Sequence, residues 1–226
     1  MIKQTITIDC ETLPSALPFE AKAFWETEEE YRKTALDGNL GRLLCIGFTR
    51  EFSDGRKLEY GCLGWNPLTQ SFEHDEAKVL AEFWELMRGF NRFHDTIVGH
   101  NIMDFDLPFI IKRSIINGVR PTVDFCFARY QSQPIFDTMR EWDCWSYKNS
   151  TSLDKLASIL NLPSPKTDGI TGANLYDAFM QERHKEIYEY CMRDVKTTRN
   201  VYRKMNFTFP RQIHSNETKN LIALSV

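Results

Sequence analysis

The segment TITIDCETLP places Asp9 and Glu11 two residues apart at the end of an apolar, strand-like run. Alternate side chains of a strand share a face. Both carboxylates therefore point one way and Cys10 the other. Two like charges on one face repel unless they share a proton or a cation, so the pattern asks for something positive between them. In GHNIMDFDLPFIIKR, Asp106 follows a short apolar stretch and opens a helical pattern; Asn101 lies five residues earlier, and Asp104 stands between them as a decoy. In YEYCMRDVKTT, Tyr190 and Asp194 are four residues apart and share one face of a helix. Taken singly, Asp106 reads equally as an ordinary N-cap, Tyr190 as a half-buried aromatic, and Asp194 as a partner of Arg193 or Lys196. Together, Asp9, Glu11, Asp106 and Asp194 supply four carboxylates from a first strand, a middle strand–helix junction and a late helix. Hard divalent cations bind such oxygen ligands. Two of them about 3.5–4 Å apart clamp the attacking and leaving oxygens of a phosphodiester.

The elements that must position these residues follow from periodicity. Residues 2–8 alternate Ile and Thr as a strand. Residues 42–50 and 57–65 read as two further strands joined through the Asp54-Gly55 turn, hence antiparallel. Residues 75–91 carry Val79, Leu80, Phe83, Trp84 and Met87 at helical spacing. A short buried strand is expected at 96–100, a helix at 107–117 and another short strand ending at Phe136-Asp137. Further helices are expected at 152–160, capped by Ser152, and at 175–180 and 185–205. A hairpin followed by alternating helices and short strands implies a mixed sheet with helices on its faces. No Gly-rich phosphate loop follows any strand, which counts against nucleotide-cofactor folds. The acidic, aromatic segment 19–36 (FEAKAFWETEEEYRKTAL) reads as a surface helix or a mobile insertion ended by Asp37-Gly38.

The bulk numbers narrow the function classes. The 226 residues fit one domain with insertions. A net charge of −3 excludes a polyanion binder held by bulk charge. Cys10, Cys45, Cys62, Cys126, Cys144 and Cys191 form no CxxC pair and read as reduced core residues of a cytoplasmic protein rather than as a zinc site. MIKQTITID has no signal-peptide h-region, and no apolar run approaches the ~20 residues of a membrane helix.

IDCET, NIMDFD and YCMRD resemble the three motifs of the DEDD superfamily of 3′–5′ exonucleases, and Tyr-x-x-x-Asp in the third resembles its DEDDy branch. Glu189 stands where a DEDDh enzyme has its histidine, and His100 and His184 are not read as catalytic. The chain is similar to a stand-alone relative of the proofreading domain of family-B DNA polymerases over residues 1–205, with 17–38 as an acidic helical insertion and 206–226 as a C-terminal tail. The resemblance implies an α/β, ribonuclease H-like three-layer fold, a mixed sheet of about five to six strands with helices on both faces. It also implies hydrolysis of single-stranded 3′ ends to 5′-mononucleotides with two divalent ions, Mg²⁺ or Mn²⁺. Asp9 is then expected to bridge both ions, Glu11 and Asp194 to hold the one that activates water, Asp106 to act through the second, and Tyr190 to orient the attacking water. Thr12, Leu13, Asn101 and Phe105 are expected around the 3′-terminal nucleotide, with Leu13 as an apolar wedge, and Lys166 near a phosphate. Asp137 resembles a recurring structural aspartate of the family. DNA is expected over RNA, with a polymerase or repair partner in trans, no membrane, and a monomer. An RNA-trimming enzyme is the alternative, followed by a non-catalytic nucleic-acid-binding module, against which the presence of all four carboxylates and the tyrosine counts.

Overall fold

A computed structural model describes residues 2–131, 133–146, 148–164 and 169–208. The chain opens with β1 (Gln4–Leu13), whose Ile6 and Ile8 are fully buried. Next comes a segment of two 3-10 turns, Phe19–Ala21 and Thr34–Leu36, flanking the helix α1 (Glu28–Lys33). The hairpin follows as β2 (Arg42–Phe52) and β3 (Glu59–Leu63), antiparallel with Arg50 opposite Glu59. A small two-stranded ribbon of β4 (Trp65–Asn66) and β5 (Ser71–Phe72) leads into α2 (Glu76–Leu86). Then come β6 (Thr96–Gly99), α3 (Asp106–Ile116), β7 (Ile135–Asp137), α4 (Thr138–Trp142), α5 (Leu153–Ile159), α6 (Leu175–Met180) and α7 (His184–Met205).

The sheet runs β3-β2-β1-β6-β7, with β1 antiparallel to β2, and β1, β6 and β7 mutually parallel. It is the expected five-stranded mixed sheet with helices on both faces. The little β4–β5 ribbon escaped the sequence reading because two-residue strands leave no period to detect. On one face Ile6, Ile8 and Ile46 pack with Leu80, Phe83 and Trp84 of α2 and Leu107 and Ile110 of α3. There Glu76 links three elements, accepting from the Leu43 N–H at 2.6 Å, from Arg113 and from Asn117. On the other face Leu13, Leu44 and Cys45 pack with Leu175 and Ala178 of α6 and Ile187 and Cys191 of α7.

The cap signals held. Ser152 Oγ accepts from the Lys155 N–H at the start of α5, and Asp75 caps α2. Segment 19–36 holds the surface helix α1 between two 3-10 turns, and it has firm anchors. Thr27 and Glu30 form a reciprocal capping box on α1. Trp25 and Tyr31 are buried and meet edge to face at 5.1 Å between centroids. The Tyr31 hydroxyl donates to the Ser15 carbonyl, and Arg32 pairs with Asp177 of α6 at 2.8 Å. The C-terminal tail expected at 206–226 lies, from residue 209 onward, outside the described residues.

Gly47 allows α7 to lie close on the sheet. A Cβ there would sit 2.7 Å from Cys191 Sγ and 2.8 Å from Val195 Cγ2, closer than real contacts allow. Gly47→Ala should therefore destabilise the protein by about 1–3 kcal/mol, the range for overpacked cores. Urea unfolding of the two proteins checks this, and a midpoint equal to wild type would show that α7 is free to lift.

Candidate active site

The site is assembled at the end of β1. Asp9 and Glu11 lie on the face that meets α7, and Cys10 lies on the opposite face among Ile6 and Ile8, as a period of two requires. Cross-strand, Asp9 is opposite Gly47 and Glu11 opposite Cys45; the register then shifts, so that Thr12 faces Leu43. This bulge lies in β2, leaves Leu44 as its extra residue and puts Leu44 on the same face as Cys45. Oxygens of Asp9 and Glu11 and Cys191 Sγ all lie within 4.8 Å of one another, and Cys191 Sγ donates to the Asp9 carbonyl at 3.8 Å.

Asp106 is the first residue of α3, and Phe105 takes the N-cap position. The simple capping role is thus set aside. Asp106 is 2% exposed, and its Oδ1 accepts from the Cys10 N–H at 2.9 Å, tying α3 to β1 from behind the cavity. Tyr190 and Asp194 come down from α7 on one face. A cavity of about 210 Å³ opens between them, lined by Asp9, Glu11, Thr12, Phe105, Tyr190 and Asp194 together with Ala35, Leu36 and Leu175.

Other expectations are placed differently. Leu13 is 1% exposed and packs in the core under α6 and α7. It keeps the face of Asp9 and Glu11 but is covered there by α6 and α7, so the apolar wall comes from Leu36 and Phe105 instead. The Thr12 hydroxyl donates to the Ala35 carbonyl at 2.6 Å and so holds that wall in place. Asn101 does not line the cavity. It adopts φ +62°, and its N–H donates to Asp137 Oδ1 at 3.0 Å. Asp137, 1% exposed, also accepts from the N–H groups of Met103, Met139 and Arg140, so it fixes the loop before α3 and caps α4. Asp104 pairs on the surface with Arg140 and takes no part. His100 is half-buried beside Thr138, and burial lowers it to about 4. Lys166 lies outside the described residues. Leu36 was missed because only its contact with the end of β1 brings it near; a lone leucine before an Asp-Gly turn carries no chemical signal.

The electrostatics are those of crowded acids. Burial, then Glu11, Asp194 and Asp106, push the Asp9 carboxyl well above the usual range. Burial does most to raise Glu11, followed by Cys191, Asp194 and Asp106. Asp106 is pushed up to about 6 by burial, against the opposing hydrogen bond from Cys10. Asp194 is likewise raised to about 6 by burial, against the bond from Tyr190 and the charge of Arg193. Tyr190 is raised far above its ordinary 10.0 by burial, then by Glu11, Asp194 and Asp9; it keeps its proton. Glu11 Oε1 and Asp194 Oδ1 are buried without a hydrogen-bond partner among the described residues. Orphaned carboxylate oxygens on a crowded acidic face fit hard divalent ions, which would supply the missing positive partner.

A family model described as a predicted 3′–5′ exonuclease related to the exonuclease domain of PolB matches residues 57–224, a stretch that includes Asp106, Tyr190 and Asp194. No curated protein matches the chain.

The raised carboxylates set a pH dependence. Folded Asp194 titrates near 6 against an ordinary 3.8, so the folded state holds this proton more tightly than the unfolded one. Its contribution to stability is full below about pH 4 and is lost as pH rises through about 6. In chelator at about pH 8, Asp194→Asn should be more stable than wild type by about 1–2 kcal/mol, an amount already reduced for partial solvent contact. The gap should close near pH 4. Urea titrations at both pH values measure it, and a variant weaker than wild type at pH 8 would mean that the charged Asp194 is favoured by its surroundings in the folded protein.

Proposed function

The chain belongs to the family of predicted 3′–5′ exonucleases related to the exonuclease domain of PolB, and from that premise we propose that it hydrolyses the terminal phosphodiester at the 3′ end of single-stranded nucleic acid, DNA in preference to RNA, releasing 5′-mononucleotides. The observation that carries this reading is the convergence of Asp9, Glu11, Tyr190 and Asp194 on one cavity, with two buried carboxylate oxygens left unpartnered. The relation to a polymerase exonuclease domain favours DNA.

Asp9 and Glu11 would hold divalent ions together with Asp194, and Asp106 would complete the set from behind β1. When bound, Mg²⁺ or Mn²⁺ supplies a water of lowered pKa and neutralises charge building on the phosphate. The residues of the chain do the rest. Tyr190 stays protonated, so its hydroxyl orients the attacking water and does not take its proton. Tyr190 and Asp194 ride on one helix, four residues apart, so their side chains keep a fixed relation. Leu36 and Phe105 offer apolar surface to a terminal base, and the Thr12–Ala35 bond keeps Leu36 at the mouth. Asp137 holds the loop that presents Phe105. We assign 1–205 to the catalytic domain and 17–38 to an insertion that forms one wall of its site. The acidic residues of α1, Glu28, Glu29 and Glu30, are exposed on the outer side of that wall, where they would repel a duplex backbone more than a single strand end.

A 5′-labelled single strand with Mg²⁺ or Mn²⁺ should shorten stepwise with wild type, and not at all with Asp9→Ala or with chelator. Tyr190→Phe should retain the fold and lose up to about 10²-fold in kcat, the scale of a misplaced reactant. Matched DNA and RNA strands give the sugar preference from one rate ratio. Metal-dependent binding of strands without cleavage would sink the nuclease reading and leave a binding module.

A further inference from the structure

Behind the carboxylates the same sheet face carries sulfur. Cys45 and Gly47 alternate on β2, Cys62 of β3 is paired opposite Gly47, and Cys191 presses down from α7. The hollow left by Gly47 is filled by Cys191 Sγ, which lies 2.7 Å from where a Cβ would stand. Three sulfurs from three elements therefore gather around one missing side chain. The Sγ atoms of Cys45, Cys62 and Cys191 all lie within 4.8 Å of one another. Spacing in the chain could not show this, because 17 and 129 residues separate the successive members.

The register decides what such a cluster can do. Cys45 and Cys62 are diagonal neighbours on antiparallel strands, with Cα atoms about 7–8 Å apart. That is at or beyond the roughly 7 Å limit for a disulfide. An ion asks for less approach: Zn–S bonds of about 2.3 Å in a tetrahedral site put sulfurs a little under 4 Å apart, so the three need to close by less than about 1 Å. Thiolates select soft or borderline ions, whereas carboxylates select hard ones. The two donor sets thus sort ions by chemistry although Cys191 touches both. Cys45 and Cys191 are 0% exposed, while Cys62, on the edge strand, is partly open and provides the entry.

We propose that Cys45, Cys62 and Cys191 form a site for one thiophilic divalent ion of the Zn²⁺ class, separate from the carboxylate cluster. The thiol protons leave as the ion binds. The bound ion links α7 to β2 and β3, and so fixes the helix that carries Tyr190 and Asp194.

The probe is Cd²⁺, titrated into reduced, chelator-treated protein in which the exposed Cys126 and Cys144 are both changed to Ser. Thiolate-to-metal absorption in the ultraviolet should saturate at one ion per chain. Cys62→Ser should weaken that binding by at least about tenfold, the scale on which even indirect support of a metal ligand matters, while Asp194→Asn should leave it intact. Zn²⁺ added alone to the chelator-freed protein should raise the melting temperature. In the unmutated protein, Cd²⁺ should protect Cys62 from alkylation, read by mass spectrometry, but not Cys126 or Cys144; this readout stands even if Cys62→Ser does not fold. Absence of the thiolate absorption, an unchanged affinity in Cys62→Ser, or alkylation of Cys62 unaffected by the ion would overturn the proposal.

Discussion

Four carboxylates confined where little water reaches them repel one another, and the surrounding structure holds them in place against that repulsion. Asp9 and Glu11 are fixed by the two-residue period of a central strand paired on both sides. Asp106 is held by the main chain of the strand it faces. Asp194 is held by a long helix whose close seat depends on a glycine in β2. None of these devices removes the repulsion. They hold the acids against it, and the Asp9 and Glu11 carboxyls are raised by burial first and by the neighbouring acids second. An arrangement of this kind is destabilising until cations arrive, which is why it reads as a site and not as a structural network.

Much of this was legible in the sequence, because the relevant signals are local. The period of β1 gave the shared face of Asp9 and Glu11, the spacing of Tyr190 and Asp194 gave theirs, and Ser152 and the Asp54-Gly55 turn marked their elements. What stayed hidden depends on contacts between distant segments. Leu13 was expected as a wedge from the family resemblance alone; packing of α6 and α7 over that face buries it in the core. Asn101 looked like a pocket residue, yet its left-handed backbone is given to Asp137. Leu36 has no motif at all and enters the site only through the Thr12–Ala35 hydrogen bond. The cysteines looked inert because their grouping exists only once β2, β3 and α7 are packed.

The acidic segment shows how an insertion becomes part of a site without supplying a reacting group. Its buried aromatics, Trp25 and Tyr31, act as its own small core. Its polar ties reach the end of β1 and α6. The capping box and the ion pairs of α1 shape the outer surface and contribute little to stability. The inner edge, Ala35 and Leu36, is what meets the cavity. Charge therefore faces solvent and apolar surface faces the strand end.

The order in which the chain supplies the site has a consequence for its folding. β1 comes first and must wait for β6 to complete the pairing on its far side, and α7, with Tyr190 and Asp194, is the last helix described. Contacts of such long separation form late in folding. Asp9 and Glu11 therefore stand without Tyr190 and Asp194 until α7 docks on the sheet, and the acidic cavity closes in one of the last steps of folding.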